Sequence, residues 1–358
     1  MPSLSHRLVA VAAALSCLMA PTTSASAADA PSRSTAQATV KTVGPGTPRE
    51  LQTAFQALRA GDTLKLLPGR YDIGGLQPLL AKGTPSARIV VTAADPQRLP
   101  ELRGHLVLRD ADHWLVNKLR LVATVKSEPA LKMAGGHGWT VANSEMTGAA
   151  GTGDYANVAI DADRSTGVPP TGWTFTGNCV HHAAARPAGD SAGYHNVYVN
   201  AEGGGGGSLF ARNVLFSAPG GSNLKIGAGG DPRVQGPTGI RVENNTMYDA
   251  NQQVLVFGKV DGIMIRKNLL VRARGGSSVN TGQYLHSITA DGRTRVLSRE
   301  NYGYLLAGRP TFVLSSPARS YTASGNTESS DPRFAVGCGR FAPANPAARA
   351  YGRYGTAP

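Results

Sequence analysis

The chain has 358 residues and a formal net charge of +13, with 36 Lys and Arg residues against 23 Asp and Glu residues. A charge of this size suits a polyanionic partner such as an acidic polysaccharide, although a general richness in arginine gives the same number. Nucleic acid is not expected as a partner, because the basic residues are scattered and no known nucleic-acid-binding motif is present.

The beginning of the chain predicts export. Residues 1–27 contain one basic residue, Arg7, then an apolar run, then the small residues "ASA", which is the pattern of a secretory signal peptide. Lipid attachment through Cys17 is less favoured, since more apolar residues follow that cysteine. No later segment has the ~20 apolar residues of a membrane span. We therefore expect a secreted, extracellular monomer without a membrane partner, with a disordered segment at 28–40 and one domain at 41–358.

The first element of this domain is a predicted helix over residues 47–60. Thr47 is a suitable N-cap, Pro48 occupies the first helical position, and Glu50 completes a capping box. Phe55 belongs to an apolar face of the helix, which we expect to cover the open sheet edge at the start of the domain.

The rest of the domain is predicted to consist of short strands that repeat around an asparagine. Six copies superpose in one column at Leu119, Ser144, Asn178, Asn213, Asn245 and Asn268, and Asn301 is a candidate to continue it. Variable spacing around a fixed core of strand, asparagine and strand indicates a solenoid with one turn per repeat. Asparagines stacked in such a coil hydrogen-bond to one another as a structural ladder. The sequence therefore predicts an all-β solenoid.

This architecture resembles the right-handed parallel β-helix of the pectate-lyase-like superfamily. The opening "LQTAFQALRAGDTLKLLPGRYD" and the following "GTPSARIVVTAAD" are similar to the start of chondroitinase-B-like polysaccharide lyases. The ending "DPRFAVGCGRFAPANPAARAYG" is similar to a tail of secreted β-helix proteins. The resemblance spans Lys41 to Gly352 and implies a right-handed parallel β-helix with an N-terminal capping helix and a non-repetitive C-terminal tail. It leaves the activity open, because this fold carries lyases, hydrolases, epimerases and adhesins.

A further sheet is predicted from the strands that follow each asparagine repeat. The relevant segments are "PALKMAG", "NVAIDA", "HNVYVN", "NLKIG" and "QVLVFG". Because side chains alternate along a strand, Leu224 and Ile226 are expected to point inward, as are Leu255 and Phe257 in the last segment. The middle outward column then contains Lys132, Ala159, Tyr198, Lys225 and Val256.

Polar residues gather on the outward face of this predicted sheet. Tyr198 and Lys225 are expected to be neighbours on adjacent turns, with His195 at the entrance of its strand. The predicted substrate-binding residues around them are Asn196, Asn223, Asn200, Asp161 and Lys132. In the lyases that the chain resembles, this sheet and its loops hold the saccharide.

These residue types match the needs of β-elimination from a uronate, which are a neutralised carboxylate, a base for the C5 proton and an acid for the leaving oxygen. Lys225 is a candidate base or neutraliser, Tyr198 a candidate base or acid, and His195 a candidate base or relay. An ammonium beside the phenol is expected to lower the pKa of Tyr198. Chondroitinase-B-like lyases carry a lysine and then an arginine on successive turns, so this pair departs from their pattern. The alternatives are a solvated surface lysine and a histidine that only bonds a turn.

No metal or cofactor is expected, with calcium as the open alternative. His181, His182 and His195 lack the spacing of a zinc site and have no carboxylate or cysteine set beside them. The candidate calcium ligands are Asp154, Asp161 and Asp163, although no dense loop of oxygen ligands surrounds them.

The two cysteines outside the signal peptide, Cys179 and Cys338, are not expected to hold a metal. An exported compartment allows them to form a disulfide, which requires the tail to fold back over the coils. The sequence leaves this pairing open.

The favoured function is a polysaccharide lyase that acts on a uronate-containing polysaccharide. The alternatives are a glycoside hydrolase that uses Asp161 and Asp163, an epimerase on the same fold, and a non-catalytic carbohydrate-binding or cell-surface β-helix. Aromatic residues make up 6% of the chain, so extended ring-stacking platforms for neutral sugars are not expected.

Overall fold

The computed structural model describes residues 38–153, 155–185, 193–227, 234–274, 280–286, 295–314 and 320–355. The predicted signal peptide and nearly all of the predicted disordered segment lie outside the described residues. No helix in the described part of the chain is both long and apolar enough to cross a membrane.

The described residues form two α-helices, one 3₁₀ helix and a long series of short strands. The helices are α1 (Pro48–Gln56), α2 (Ala149–Thr152) and the 3₁₀ helix Pro346–Ala348. The strands are β1 (Val40–Val43), β2 (Thr63–Leu66), β3 (Arg70–Leu76), β4 (Ile89–Ala93), β5 (Glu101–Arg109), β6 (Trp114–Asn117), β7 (Arg120–Ala123), β8 (Leu131–Ala134), β9 (Thr140–Ala142), β10 (Glu145–Thr147), β11 (Ala156–Asp161), β12 (Thr174–Thr176), β13 (Cys179–His181), β14 (His195–Asn200), β15 (Ser208–Ala211), β16 (Val214–Ile226), β17 (Ile240–Glu243), β18 (Thr246–Phe257), β19 (Ile263–Arg266), β20 (Leu269–Ala273), β21 (Gln283–His286), β22 (Arg295–Arg299), β23 (Tyr302–Tyr304), β24 (Phe312–Leu314), β25 (Ser320–Ser324) and β26 (Thr327–Glu328).

These strands pair in parallel into two sheets, and the chain passes back and forth between them. Sheet A has the order β1-β2-β4-β6-β9-β12-β15-β17-β19-β22-β25. Sheet B contains the other strands, along the path β13-β10-β7-β5-β8-β11-β14-β16-β18-β20-β23-β26 with β3, β21 and β24 beside it. The prediction of an all-β, parallel architecture is confirmed.

Sheet B joins two sets of strands that the sequence analysis treated as separate sheets. One part of each long strand β5, β16 and β18 pairs with a strand that follows the asparagine column, namely β7, β13 and β20. Another part of the same strand pairs with a strand of the second set, namely β8, β14 and β21. Strand β16 achieves this through an irregularity between Ala218 and Ser222 in its pairing with β18. Such an irregularity bends a strand, so one continuous segment can serve both sets.

The predicted asparagine ladder is present and runs further than expected. The side-chain amide of Asn213 donates to Asn245 Oδ1 at 2.9 Å, and that of Asn245 donates to Asn268 Oδ1 at 3.0 Å. The same bond links each of Asn178–Asn213, Asn268–Asn301 and Asn301–Asn326. Each of these amides except that of Asn326 is buried, and all of them, Asn326 included, also donate to a backbone carbonyl. Buried polar groups with complete hydrogen bonding fix the alignment of successive turns.

The core lies between the two sheets and contains stacked aromatic rings. Trp139 and Trp173 are parallel with centroids 5.3 Å apart, and Phe175 and Phe210 are parallel at 5.2 Å. Equivalent side chains on neighbouring strands are held at about the 4.8 Å strand spacing, which favours such stacks.

Helix α1 confirms the predicted start and is shorter than predicted. Thr47 accepts a hydrogen bond from the Glu50 backbone N–H, and the Glu50 carboxylate accepts from the Thr47 N–H, so the capping box is complete. Phe55 is fully buried and stacks on Trp114 at 6.1 Å. The helix ends at Gln56 because Ala57 forms its C-cap, four residues before Gly61.

The C-terminal tail folds back over sheet B and is held there by a Cys179–Cys338 disulfide. Phe341 is fully buried against Phe216, with ring centroids 5.4 Å apart. The disulfide joins positions 159 residues apart, and closing a loop of this length stabilises the folded state by roughly 4 to 5 kcal/mol in the chain-entropy account. The pairing that the sequence left open is therefore present.

Candidate active site

Strands β14 and β16 place Tyr198 and Lys225 side by side. The two residues are register partners in the parallel pair, and both side chains lie on the outward face while Leu224 and Ile226 are fully buried. The predicted orientation of both residues is therefore confirmed.

The Lys225 side chain lies between aromatic rings. Its Nζ atom is 4.1 Å from the centre of the Tyr198 ring and 5.7 Å from the centre of the Phe257 ring. The Phe257 ring in turn stacks on His286 at 4.8 Å. Among the described residues Nζ has no carboxylate partner. Lys225 is thus a half-buried amine with aromatic neighbours, which differs from the solvated surface lysine that was the alternative.

Burial lowers the pKa of the Lys225 ammonium to about 8. The face of an aromatic ring acts in the opposite direction and favours the ammonium by roughly 0.5 to 2 kcal/mol. A lowering from 10.5 to about 8 corresponds to about 3 kcal/mol, so the burial effect is the larger one. Near neutral pH an appreciable fraction of this amine is therefore uncharged and able to accept a proton.

Tyr198 has the opposite character. Burial, followed by the carboxylates of Asp161 and Glu202, raises the pKa of the phenol to about 12. The expectation that Lys225 lowers this pKa is wrong, because Nζ lies over the ring face and is itself losing its charge through burial. The Tyr198 hydroxyl donates a long hydrogen bond of 3.4 Å to Asn200 Oδ1. The phenol thus stays protonated and can donate a proton.

Phe257 belongs to this site although the sequence analysis placed it in the core. Val254 and Val256 are the buried residues of that segment, and Leu255 is the register partner of Lys225 on the outward face. The predicted inward Leu255 and Phe257 and outward Val256 are therefore wrong by one residue. A slip of one residue exchanges the two faces of a strand.

A second amide ladder sets this register and was not predicted. Asn157 donates to Asn196 Oδ1 at 2.9 Å, Asn196 to Asn223 Oδ1 at 2.7 Å, and Asn223 to Gln253 Oε1 at 2.6 Å. All four side chains are fully buried. The prediction that Asn196 and Asn223 bind substrate is wrong, since their amides are used between strands. The signal was in the sequence, because an amide directly precedes the first inward residue in four of the five segments, and "PALKMAG" is the exception.

His195 is buried beneath the same surface. Its side chain is 3% exposed, and Nδ1 accepts a hydrogen bond of 3.0 Å from the Ser222 backbone N–H. The imidazole lies 5.8 Å from the Tyr198 ring, measured between centroids. The histidine therefore connects β14 to β16 behind the outward pair, which matches the structural alternative for this residue.

The charged residues of the neighbouring strands are paired. Lys132 Nζ is 2.9 Å from Asp161 Oδ2, and Arg109 is 3.1 Å from Asp163 Oδ1. Hydrogen bonds from Ser165 and the charge of Arg109 outweigh burial, so the pKa of Asp163 is lowered. A glycoside hydrolase needs one carboxylic acid with a raised pKa. Asp161 and Asp163 are instead held in ion pairs with Lys132 and Arg109, and the pKa of Asp163 is lowered, which disfavours the hydrolase alternative.

Among the described residues, the candidate ligands do not form the calcium site or the zinc site that was considered from the sequence. Asp154 lies outside the described residues, and the other two candidate calcium ligands are those paired with Lys132 and Arg109. Of the candidate zinc ligands, His181 and His182 are in contact through their Nδ1 atoms at 2.5 Å. Within the described ranges, the metal-ligating atoms that cluster belong to Cys179, His181 and Cys338, where both sulfurs are used in the disulfide.

Comparison with known proteins gives matches among solved structures. No protein-family model matches the chain, and no curated protein matches it. The alginate lyase from Paenibacillus sp. str. FPU-7 is 16% identical with a TM-score of 0.55, over 80% of this chain and 95% of that one. Pectate lyase Pel9A is 13% identical with a TM-score of 0.42, over 81% and 78%. The A-module of Azotobacter vinelandii mannuronan C-5 epimerase AlgE6 is 14% identical with a TM-score of 0.43, over 80% and 97%.

The similarity to the Paenibacillus alginate lyase covers most of both chains, and the paired parallel strands of this chain repeat turn by turn. The chain therefore has a parallel β-helix fold similar to that of this lyase structure.

Proposed function

We propose that the protein is an exported polysaccharide lyase that cleaves an acidic, uronate-containing polysaccharide by β-elimination. The observation that carries this proposal is the contact between Lys225 and Tyr198, because it brings a base and an acid to one outward surface. The amine has a pKa of about 8 and the phenol a pKa of about 12, so each is in the required protonation state near pH 8. Groups whose environments drive their pKa values apart are typical of acid and base partners.

In the proposed reaction, neutral Lys225 removes the proton from C5 of the uronate. The electron pair of the C5–H bond forms the C4–C5 double bond, and the C4–O bond to the leaving sugar breaks. Tyr198 protonates the leaving oxygen, so the pair gains one proton and gives one up. Lys132 lies in the same outward column, with Ala159 between it and Tyr198. We propose that Lys132 attracts the substrate carboxylate, which then replaces Asp161 as the ion-pair partner of Lys132.

The same proposal includes the finer features of the fold. We propose that the coil is right-handed, as crossovers between parallel strands nearly always are. We also propose that α1 covers the first turn, since its Leu51 and Phe55 are buried against the core and exposed sheet edges invite pairing with other chains. Export, an extracellular location and a monomeric state complete the proposal.

The test is incubation of the mature protein with a panel of polymers of galacturonate, mannuronate, guluronate and chondroitin. A lyase produces new reducing ends together with ultraviolet-absorbing unsaturated ends. Lys225→Met is the inactive control, and Lys65→Met, on the exposed side of β2, is the matched variant that keeps activity.

Other products of the same incubation contradict the proposal in defined ways. Reducing ends without ultraviolet absorbance indicate a hydrolase, and a changed uronate composition without cleavage indicates an epimerase. Binding without any product indicates a non-catalytic carbohydrate-binding protein.

A further inference from the structure

We propose that the protein has a second saccharide-binding site, in a cleft under the C-terminal tail. On the sheet B side, residues of β18, β20 and β23 line this cleft. We call it the tail cleft. It has a volume of about 290 Å³, and its lining includes Tyr248, Arg272, Tyr304, Asp331, Arg333 and Phe334. The inference rests on the proposed function, because it assumes that the protein acts on an acidic saccharide.

The tail supplies a fixed wall for this cleft. The Cys179–Cys338 disulfide ties the tail to β13. Phe334 packs against Phe341 at 4.9 Å and against Tyr248 at 5.8 Å, measured between ring centroids. At the start of the tail, the Tyr302 hydroxyl donates to the Ser330 carbonyl at 2.5 Å. A wall held in this way keeps its shape without a ligand, which reduces the entropy lost on binding.

Two guanidinium groups face the cleft from different walls. Arg272 donates to the Tyr248 hydroxyl at 3.0 Å and lies 3.4 Å from Asp249, so the sheet holds its orientation. Arg333 projects from the tail, is exposed, and has no ion-pair partner among the described residues. A carboxylate or sulfate bound between two guanidinium groups receives several charge-assisted hydrogen bonds.

Apolar surface accompanies these charges. Tyr304 and Phe334 present partly exposed rings, and Leu305 and Val336 are 54% and 47% exposed. Large apolar side chains left exposed beside a cleft are typical of a binding site. The combination of ring faces for the C–H side of a sugar and cations for its anionic group matches a uronate pyranose.

The cleft continues into a second one, which limits how a ligand can lie. An adjoining space of about 520 Å³ shares Arg272, Tyr304 and Leu305 and adds Glu328. Glu328 in the adjoining space and Asp331 in the tail cleft itself both repel anions, so a ligand carboxylate is drawn toward the guanidinium groups of Arg272 and Arg333. Neighbouring sugars then offer hydroxyl groups to Glu328 and Asp331, which accept hydrogen bonds.

The ligand is therefore an internal uronate of a longer saccharide chain. Tyr248 and Phe257 belong to the same strand, β18, so the tail cleft and the reaction surface are joined by one rigid element. A polymer held at the tail cleft is kept at high local concentration near Lys225, which favours long chains over short ones.

The test is isothermal titration calorimetry with hexasaccharides of galacturonate, mannuronate, guluronate and chondroitin. Lys225→Met is the background, so that the ligand is not cleaved. Arg333→Ala is compared with Arg340→Ala, an exposed arginine of the same tail outside the cleft. We expect two molecules bound per protein in the background and in Arg340→Ala, and one in Arg333→Ala, with the lost site at least tenfold weaker.

Two other outcomes overturn the inference. Equal stoichiometry in Arg333→Ala and Arg340→Ala shows that the tail cleft does not bind, whether or not the unmodified protein cleaves a polymer. Absence of binding by every variant also overturns it. Conversely, loss of one site in Arg333→Ala combined with no unsaturated product from the unmodified protein retains the tail cleft and rejects the lyase.

Discussion

Two pairs of polar residues, two positions apart along β14 and β16, have opposite properties. In the first pair, Asn196 and Asn223 are fully buried, and their amides bond between turns within the protein. On the outward side, Lys225 is surrounded by the rings of Tyr198 and Phe257 and has no hydrogen-bonding carboxylate in the described part of the chain. Both pairs occupy equivalent positions on neighbouring turns. They differ in hydrogen bonding, because the asparagine amides bond between turns, as in a structural role, whereas Lys225 has no carboxylate partner among the described residues, as in a residue available for chemistry.

The largest expected effect is on turnover after removal of either outward residue. Tyr198→Phe and Lys225→Met should each lower kcat by about 10² to 10⁴, because each removes a general acid or base. The double variant should lose much less than the product of the two losses, since the residues act in one step. The measurement is the rate of formation of unsaturated ends. Near-normal rates in both single variants would show that Tyr198 and Lys225 are not the acid and the base. Lys65→Met is the control.

The pH dependence of turnover gives the next largest effect. The reaction needs neutral Lys225, whose pKa is about 8, so kcat should fall about tenfold for each pH unit below that value. Tyr198 keeps its proton up to a pKa of about 12, so kcat should stay level from pH 8.5 to 10. An initial-rate profile from pH 5.5 to 10 checks this. A maximum near pH 5 with loss of rate above it would show that a carboxylate, and not Lys225, is the base.

At the buried asparagines the same kind of substitution should affect stability instead. Asn223→Ala removes the acceptor of the Asn196 amide and the donor to Gln253 Oε1, which leaves buried groups unpaired. Each unpaired group costs about 1 to 3 kcal/mol, so the free energy of unfolding should fall by roughly 2 to 4 kcal/mol. Asn200→Ala, on the outward face, should cost less than about 0.5 kcal/mol. Urea denaturation of the two variants makes the comparison, and equal losses would refute it.

These residues also show how far the sequence alone could lead. The columns of Asn178 to Asn268 and the pair Tyr198 and Lys225 followed from repeated patterns, because a solenoid places equivalent positions on neighbouring strands. The orientation of residues 253–257 did not follow, since "QVLVF" is apolar on both faces and alternation has no contrast to read. The burial of Asn196 and Asn223 was missed because alternation places them in the same outward register as Tyr198 and Lys225. The raised pKa of Tyr198 depends first on its burial and then on the carboxylates of Asp161 and Glu202, and the sequence alone shows neither.

The smallest predicted effect links stability to the charge of Lys225. Its pKa is about 8 in the folded protein and about 10.4 in an unfolded chain, so between these values the unfolded state binds more protons. Stability should therefore rise as the pH increases from 8 toward 10, when burial of the ammonium no longer opposes folding. Tyr198 has the opposite sign, because its raised pKa makes the folded state bind more protons between pH 10 and 12, and the rise should end near pH 10.

In Lys225→Met the lysine contribution is absent. Urea denaturation at pH 7, 8, 9 and 10 should show the unmodified protein gaining about 1 to 3 kcal/mol relative to Lys225→Met. Lys65→Met should follow the unmodified protein, and parallel stability curves for all three would mean that Lys225 keeps its ordinary charge and that the outward pair is not an acid and base.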